Sequence, residues 1–245
     1  MTLHLVEIPL VLKRLHIWAA ERALGRRGAL DEGLALHHLL GEVFGPAVLQ
    51  PFRLLVALRA EHGKLYAYAA TDAEGLRATA SVTAGPGEAE VLPLDRLRSI
   101  PRPEATWQDG QRLGFDLRVR PVVRLLRGIE GPDGSFAKGA EVDCFLPQAL
   151  GPGEPRPREA VYLDWLDDRL GDAASIERDA TRLASFRRSR VQRGKRRIEG
   201  PDAVFHGTLT VRDPAAFAQL LVRGVGRHRA YGYGMLLLRP PQRRG

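Results

Sequence analysis

The chain has 245 residues, of which 44% are hydrophobic and 27% charged, a balance that supports a buried core and excludes a disordered chain. Its 37 Lys and Arg against 29 Asp and Glu give a formal net charge of +8, which points to a polyanionic partner, because clustered cations gain affinity by releasing the counterions condensed on nucleic acid. No apolar run approaches the roughly 20 residues that span a bilayer, so no membrane association is expected. The one cysteine, Cys144, allows no internal disulfide and predicts a cytoplasmic location.

The opening stretch "MTLHLVEIPLVLKRLHIW" has no basic start and is interrupted by Glu7 and Lys13, which argues against a secretory signal. Within it "LHLVEIPL" alternates as a strand, and "VLKRLHIWAAERAL" places Leu12, Leu15 and Ala19 at helical spacing until Gly25. "GRRGALDEG" reads as a basic, glycine-bounded loop, "LALHHLLGEVF" as a second helix, and "PFRLLVALRAEHGKLYAYAA" as two strands around a turn at His62 to Lys64. The pattern then weakens. Residues 101 to 111, "PRPEATWQDGQ", gain proline and lose periodicity, which predicts a boundary between domains at 1–100 and 112–245.

The second half opens on a strand, "RLGFDLRVRPVV", with "VDCFL" as a further strand and "GPGEPRPRE" as a loop. "AVYLDWLDDRL" is predicted helical up to Gly171, with Tyr162, Leu163, Leu166 and Leu170 inward. "VFHGTLTV" alternates as a strand; Asp213 can cap a helix with Pro214 at its first position and Phe217, Leu220 and Leu221 as its apolar face; Gly224 ends that helix, and "MLLLRP" returns as a buried strand. Two α+β halves of this kind predict tandem ferredoxin-like (RRM-like) domains, the second carrying a basic insert.

That insert is "RLASFRRSRVQRGKRR", residues 182 to 197, which contains no acid. Its Arg187, Arg188, Arg190, Arg193, Lys195, Arg196 and Arg197 are predicted to neutralise RNA phosphates, in a helix or a hairpin. The glycine stretch "GVGRHRAYGYG", residues 224 to 234, is not a nucleotide-phosphate loop: it follows a helix C-terminus, where the dipole repels anions, and its spacing fits neither known phosphate fingerprint. Two readings stay open. Gly224 and Gly226 let an RNA backbone lie close while Arg227, His228 and Arg229 supply charge and Tyr231 a stacking face, or the glycines form a helix cap and a tight turn with the tyrosines as core.

The segment "FHGTLTVRDPAAFAQLLVRGVGRHRAYGYGMLLLRP" resembles the C-terminal glycine-rich motif of CasE-type CRISPR RNA-processing endoribonucleases, F-x-G-x-L-x-V-x-D-P-x-x-F followed by G-[IV]-G-x-x-[KR]-x-[FY]-G-x-G-[LM]-L. "LGFDLRVRPVV" and "YLDWLDDRLG" are similar to further elements of that family, and a related processing enzyme of type IV CRISPR systems shares the glycine motif. The resemblance implies two ferredoxin-like domains, metal-independent cleavage of a CRISPR repeat hairpin, retention of the guide RNA, and other CRISPR effector subunits as partners.

Metal-free RNA cleavage needs a base for the 2′-OH proton, a cation beside the phosphorane and an acid for the 5′-oxygen. In "LALHHLLGEVF" the apolar face is Leu36, Leu39, Leu40, Val43 and Phe44, so His37 lies at its border and His38 points to solvent. The resemblance favours His37, since the family carries a catalytic histidine on this helix with a tyrosine three residues earlier. Here that position is Leu34, so Arg26, Arg27 or Arg22 is expected to stabilise charge, and arginine-led catalysis is the alternative. A non-catalytic RNA-binding subunit and a DNA-binding regulator are the competing functions. Asp164, Asp167 and Asp168 read as a solvated helix face and Cys144 lacks zinc spacing, so no metal and no cofactor are expected.

Overall fold

The computed structural model describes residues 2–26, 29–131, 134–152, 154, 156–193 and 196–241; for residues 25, 26, 29, 190–193 and 196–198 it describes the backbone alone. Arg27 and Lys195 lie outside the described residues. No helix among them is long and apolar enough to cross a membrane.

Strand β1 (Leu3–Val11) has two apolar faces. Val6, Ile8 and Leu10 are buried with residues of the first-half helices, whereas Leu3 and Leu5 join the core of the second half. Helix α1 (Leu12–Glu21) follows at once, then α2 (Glu32–Phe44), capped by the Asp31 carboxylate accepting from Leu34 N at 3.1 Å. Next come β2 (Phe52–Val56), β3 (His62–Ala69), α3 (Ala73–Thr83) and β4 (Arg98–Arg102). The antiparallel sheet order is β2-β3-β1-β4.

The second half repeats the plan. Strand β5 (Arg112–Val119) leads through α4 (Arg158–Leu170) to β6 (Ala174–Ile176), then β7 (Arg182–Arg193), β8 (Arg196–Val211), α5 (Pro214–Arg223) and β9 (Leu236–Arg239). Its sheet order is β6-β8-β5-β9, with β7 pairing the other part of β8. With β7 set aside, each sheet has its own four strands in the order second, third, first, fourth. These are two tandem ferredoxin-like sheets in an α+β fold, with β7 and the start of β8 as the basic insert.

Asp213 caps α5 through Ala215 N and Ala216 N, and Phe217, Leu220 and Leu221 are buried, as their spacing requires. Two expectations are corrected, and one helix is added. The first-half hairpin turns over residues 57–61; His62 to Lys64 already pair within β3, with Gly63 opposite Val56. "VDCFL" is a strand only over Glu141–Asp143, beyond which Phe145–Leu150 is helical. Helix α3, which carries only Leu76 and Ala80 as a periodic buried pair beside Ala73, went unpredicted.

The two halves are joined by an apolar seam and a charged knot. Tyr68 and Leu3 are buried in one cluster with Phe115, Leu236 and Leu237, and the Tyr68 hydroxyl donates to Leu236 O at 3.2 Å. Asp116, 2% exposed, accepts from Arg53 Nε of β2 at 2.9 Å and Arg239 of β9 at 3.1 Å, and meets His206 Nε2 of β8 at 2.8 Å.

Candidate functional site

The glycine stretch leaves α5 at Gly224 (φ 72°) and closes on itself where Val225 N donates to Gly234 O at 2.8 Å. Gly234 (φ 85°) also donates to Arg118 O at 2.7 Å, and a Cβ there would meet Val225 O at 2.4 Å, so a left-handed residue without a side chain is required. The bare backbones serve contacts within the protein. Gly224 is buried, and an added Cβ there would meet Pro51 Cγ at 2.6 Å; one on the half-buried Gly226 would meet Trp165 at 3.0 Å, and one on Gly232 would meet Phe52 at 3.1 Å. Of the two open readings of the stretch, the cap and tight turn describe its glycines, and Tyr233 is core at 2% exposure.

Against α2 the loop presents Tyr231. A Cβ on Gly33, in the first turn of α2, would stand 2.7 Å from Tyr231 O, so helix and loop are in backbone contact. One turn further along α2, the half-buried His37 ring lies 5.1 Å from the Tyr231 ring, centroid to centroid, at 37°. Gln50 Nε2 is 3.4 Å from His37 Nδ1, and the exposed His38 ring stands edge-on at 5.4 Å. The position three residues before His37 is Leu34, and the aromatic neighbour of His37 is supplied instead by the other half of the chain.

Tyr231 lines two concavities. One, of about 840 Å³, is lined by Gln50, Arg124, Glu141, Arg223, Arg227, His228 and Arg229 among others. In it His228 adopts a left-handed backbone (φ 65°), and its ring is 6% exposed, with Nε2 2.8 Å from Glu141. Arg227 NH1 donates to the same carboxylate at 2.8 Å. Burial would raise the pKa of Glu141, but the His228 bond and charge, then those of Arg227, hold it below the usual carboxylate range. Arg229 donates to Arg223 O and is otherwise exposed. Of the three predicted loop cations, His228 therefore turns inward, Arg227 is shared with Glu141, and Arg229 faces outward.

The other concavity, of about 210 Å³, is lined by Asp31, Glu32, Gly33, Arg118, Arg187, Ser189 and Tyr233. Buried Asp202 organises it, accepting two bonds from Arg118, at 2.8 and 2.7 Å, and one from Arg187 Nε at 2.9 Å. Burial opposes its ionisation, yet Arg118 and then Arg187 keep its pKa below the ordinary aspartate value. Arg118 also lies over the Tyr233 ring at 4.6 Å. The basic run is a hairpin, not a helix, with Arg187 opposite Asp202 and Arg193 opposite Arg196. Arg187 and Arg188 are exposed, Arg188 near Glu199 at 3.3 Å; Arg190, Arg193, Arg196 and Arg197 lie on the hairpin backbone.

Arg26 lies in a two-residue strand beside Ala29. Arg22 is committed elsewhere: its guanidinium pairs with Glu88 at 2.5 Å and Glu42 at 3.6 Å and covers Trp18 at 4.2 Å, so it does not serve His37. Asp164 pairs with Arg156 and Arg178, at 2.6 and 2.8 Å, and Asp167 accepts from Ile176 N. Sequence reasoning missed Gln50, Arg118, Glu141 and Asp202. Only the alternation of β5, which puts Asp116 and Arg118 on the face opposite Phe115 and Leu117, signalled that its polar side chains needed partners.

A family model described as CRISPR associated protein matches residues 5–240. The chain is 30% identical over 138 residues to the CRISPR system Cascade subunit CasE of Escherichia coli strain K12, an alignment covering 56% of this chain and 62% of that relative. The fold superposes on Thermus thermophilus Cse3 bound to an RNA representing a pre-cleavage complex with a TM-score of 0.64 at 22% identity, covering 98% of this chain and 100% of that one. It superposes on Cas6e from Escherichia coli K-12 with a TM-score of 0.61 at 20% identity, covering 97% and 99%. With the match extending over nearly all of both ferredoxin-like halves and the glycine-rich loop between α5 and β9, the chain belongs to the CRISPR associated protein family.

Proposed function

We propose that this protein is an endoribonuclease that cleaves precursor CRISPR RNA at the 3′ base of the repeat hairpin and stays bound to the mature guide RNA. Family membership, a relative that is a Cascade subunit and a similarly folded relative bound to RNA support the substrate class. The observation that carries the reading is the meeting of His37 and Tyr231, from opposite halves of the chain, between two arginine-bearing concavities.

Cleavage proceeds without metal. The 2′-oxygen loses its proton to a base and attacks the adjacent phosphorus; the bond from phosphorus to the 5′-oxygen breaks and that oxygen takes a proton. A 2′,3′-cyclic phosphate and a 5′-hydroxyl result. His37 serves as principal acid or base, because an imidazole changes charge near neutral pH. Arg26 and Arg27, which precede α2 in the sequence, stabilise the phosphorane charge. Arg187, Arg188, Arg190, Arg193, Lys195, Arg196 and Arg197 hold the hairpin stem, and the glycine loop, through Arg227, Arg229 and Tyr231, holds the strand at the cut. Residues 1–100 and 112–245 act as two domains whose junction forms the site, and other CRISPR effector subunits are its protein partners.

The test is a labelled repeat hairpin incubated with the protein in EDTA. Cleavage is expected, lost when the scissile nucleotide is 2′-deoxy, and His37→Ala is expected to slow it by about 10²–10⁴-fold. Full-rate cleavage by His37→Ala would move the chemistry to the arginines. Tight binding of intact RNA would mark a non-catalytic RNA-binding subunit, and equal affinity for DNA a regulator.

A further inference from the structure

We infer that the concavity of about 840 Å³ is a subsite for single-stranded RNA on the 3′ side of the cut, the strand that departs with the 5′-hydroxyl. The inference rests on the endoribonuclease reading and adds to it a second RNA-binding element, separate from the hairpin arm.

Three observations carry it. The first is position: Tyr231 lines both concavities and stacks beside His37, so a phosphate held at His37 has the Arg187 side of the protein on one hand and the larger concavity on the other. A strand fixed by its stem against β7 and β8 must continue into the space beyond Tyr231. The second is charge. Of the four arginines lining this space, Arg227 is matched by Glu141, and that carboxylate also meets His228. Arg124 and Arg223 are exposed and make no ion pair among the described residues, so the cavity keeps an excess of positive charge.

The third is shape. The volume falls within the roughly 300–1,000 Å³ of ordinary ligand sites, too small for a duplex about 20 Å across but enough for unpaired nucleotides. Its wall offers Val222, half of whose surface is exposed (51%), and the Tyr231 ring as apolar faces for bases.

The experiment compares three RNAs on the intact protein: the product hairpin ending at the cut, the same hairpin with a scissile 2′-deoxy block and a short 3′ single strand, and the hairpin with an equal 5′ extension. The 3′-extended RNA should bind about tenfold tighter than the product, the increment of two exposed arginine–phosphate pairs at roughly threefold each. Arg124→Ala with Arg223→Ala, both exposed positions, should erase that increment and lower the salt slope of the 3′-extended RNA by roughly 1.4, about 0.7 per released phosphate contact. Product and 5′-extended RNA should bind the variant as they bind the wild type. Equal weakening of all three RNAs, or an increment that survives the double substitution, overturns the subsite. Failure of the wild type to bind the product hairpin defeats the endoribonuclease reading, and the subsite with it.

Discussion

Substituting Gly33 by alanine tests whether the register between α2 and the glycine loop controls the chemistry. The new Cβ would stand 2.7 Å from Tyr231 O and 3.3 Å from both Tyr231 C and Cβ, and backbone on both sides leaves no flexible side chain to give way. Helix or loop must move by a large part of an ångström to restore contact distance. Alanine gains up to about 1 kcal/mol over glycine in a helix, and overpacking costs about 1–3 kcal/mol. The net change, within about 2 kcal/mol, leaves a domain of ordinary stability folded. His37 sits one turn along the same face of α2, so the displacement separates its imidazole from Tyr231 and from a strand held by the loop. A misplacement of about 1 Å costs a reaction on the order of 10²-fold. Single-turnover cleavage by Gly33→Ala is therefore expected to be about 100-fold slower, with hairpin affinity within a few-fold of wild type and a melting temperature shifted by only a few degrees. Wild-type cleavage by a folded Gly33→Ala protein would refute the claim that the contact between halves positions the catalyst.

Asp116→Asn should cost about 3–5 kcal/mol, read as a lowered melting temperature, because the nearly buried Arg53 guanidinium loses its counter-charge. Asp202→Asn should destabilise the protein at pH 7 and flatten its acid unfolding profile. The Asp202 pKa is depressed in the folded state, so its stabilisation is complete above the unfolded value of about 3.9 and is lost as pH falls through the folded value. Glu141→Gln follows the same sign, and circular dichroism melts between neutral and strongly acidic pH check both. Tyr231→Ala should slow cleavage at least about tenfold while Tyr231→Phe, which keeps the ring beside His37, retains most of the rate.

The ferredoxin-like plan was legible because its strands and helices carry clean periodicities: β1 alternates, α4 and α5 show one apolar stripe each, and Asp213 with Pro214 is an unmistakable helix start. Helix α3 was hidden because an alanine-rich face gives little hydrophobic contrast. His37 at the border of a stripe was readable from helical geometry alone. Its neighbours were not: Tyr231 is 194 positions away, and Gln50 reaches it from the far side of the turn that follows α2. The carboxylates Asp116, Glu141 and Asp202 look in sequence like ordinary alternating or loop acids. Only the fold turns them inward, each against two or more cations.

Those inward carboxylates explain how so basic a chain keeps its arginines in order. An exposed arginine loses side-chain entropy when it grips a phosphate, and that cost shrinks if a buried acid already fixes part of the guanidinium. Asp202 holds Arg187 at Nε with 71% of that side chain exposed, and Glu141 holds Arg227 at NH1 with 49% exposed. Tyr231 lines both concavities; Glu141 lines the larger one, and Asp202 holds Arg118 and Arg187 of the smaller one. Each also joins parts of the chain far apart in sequence: Asp202 ties β8 to Arg118 of β5, and Glu141 ties the strand Glu141–Asp143 to the glycine loop. Removing either carboxylate should therefore loosen the RNA grip and the fold together, whereas removing an outward arginine such as Arg188 should weaken only the grip.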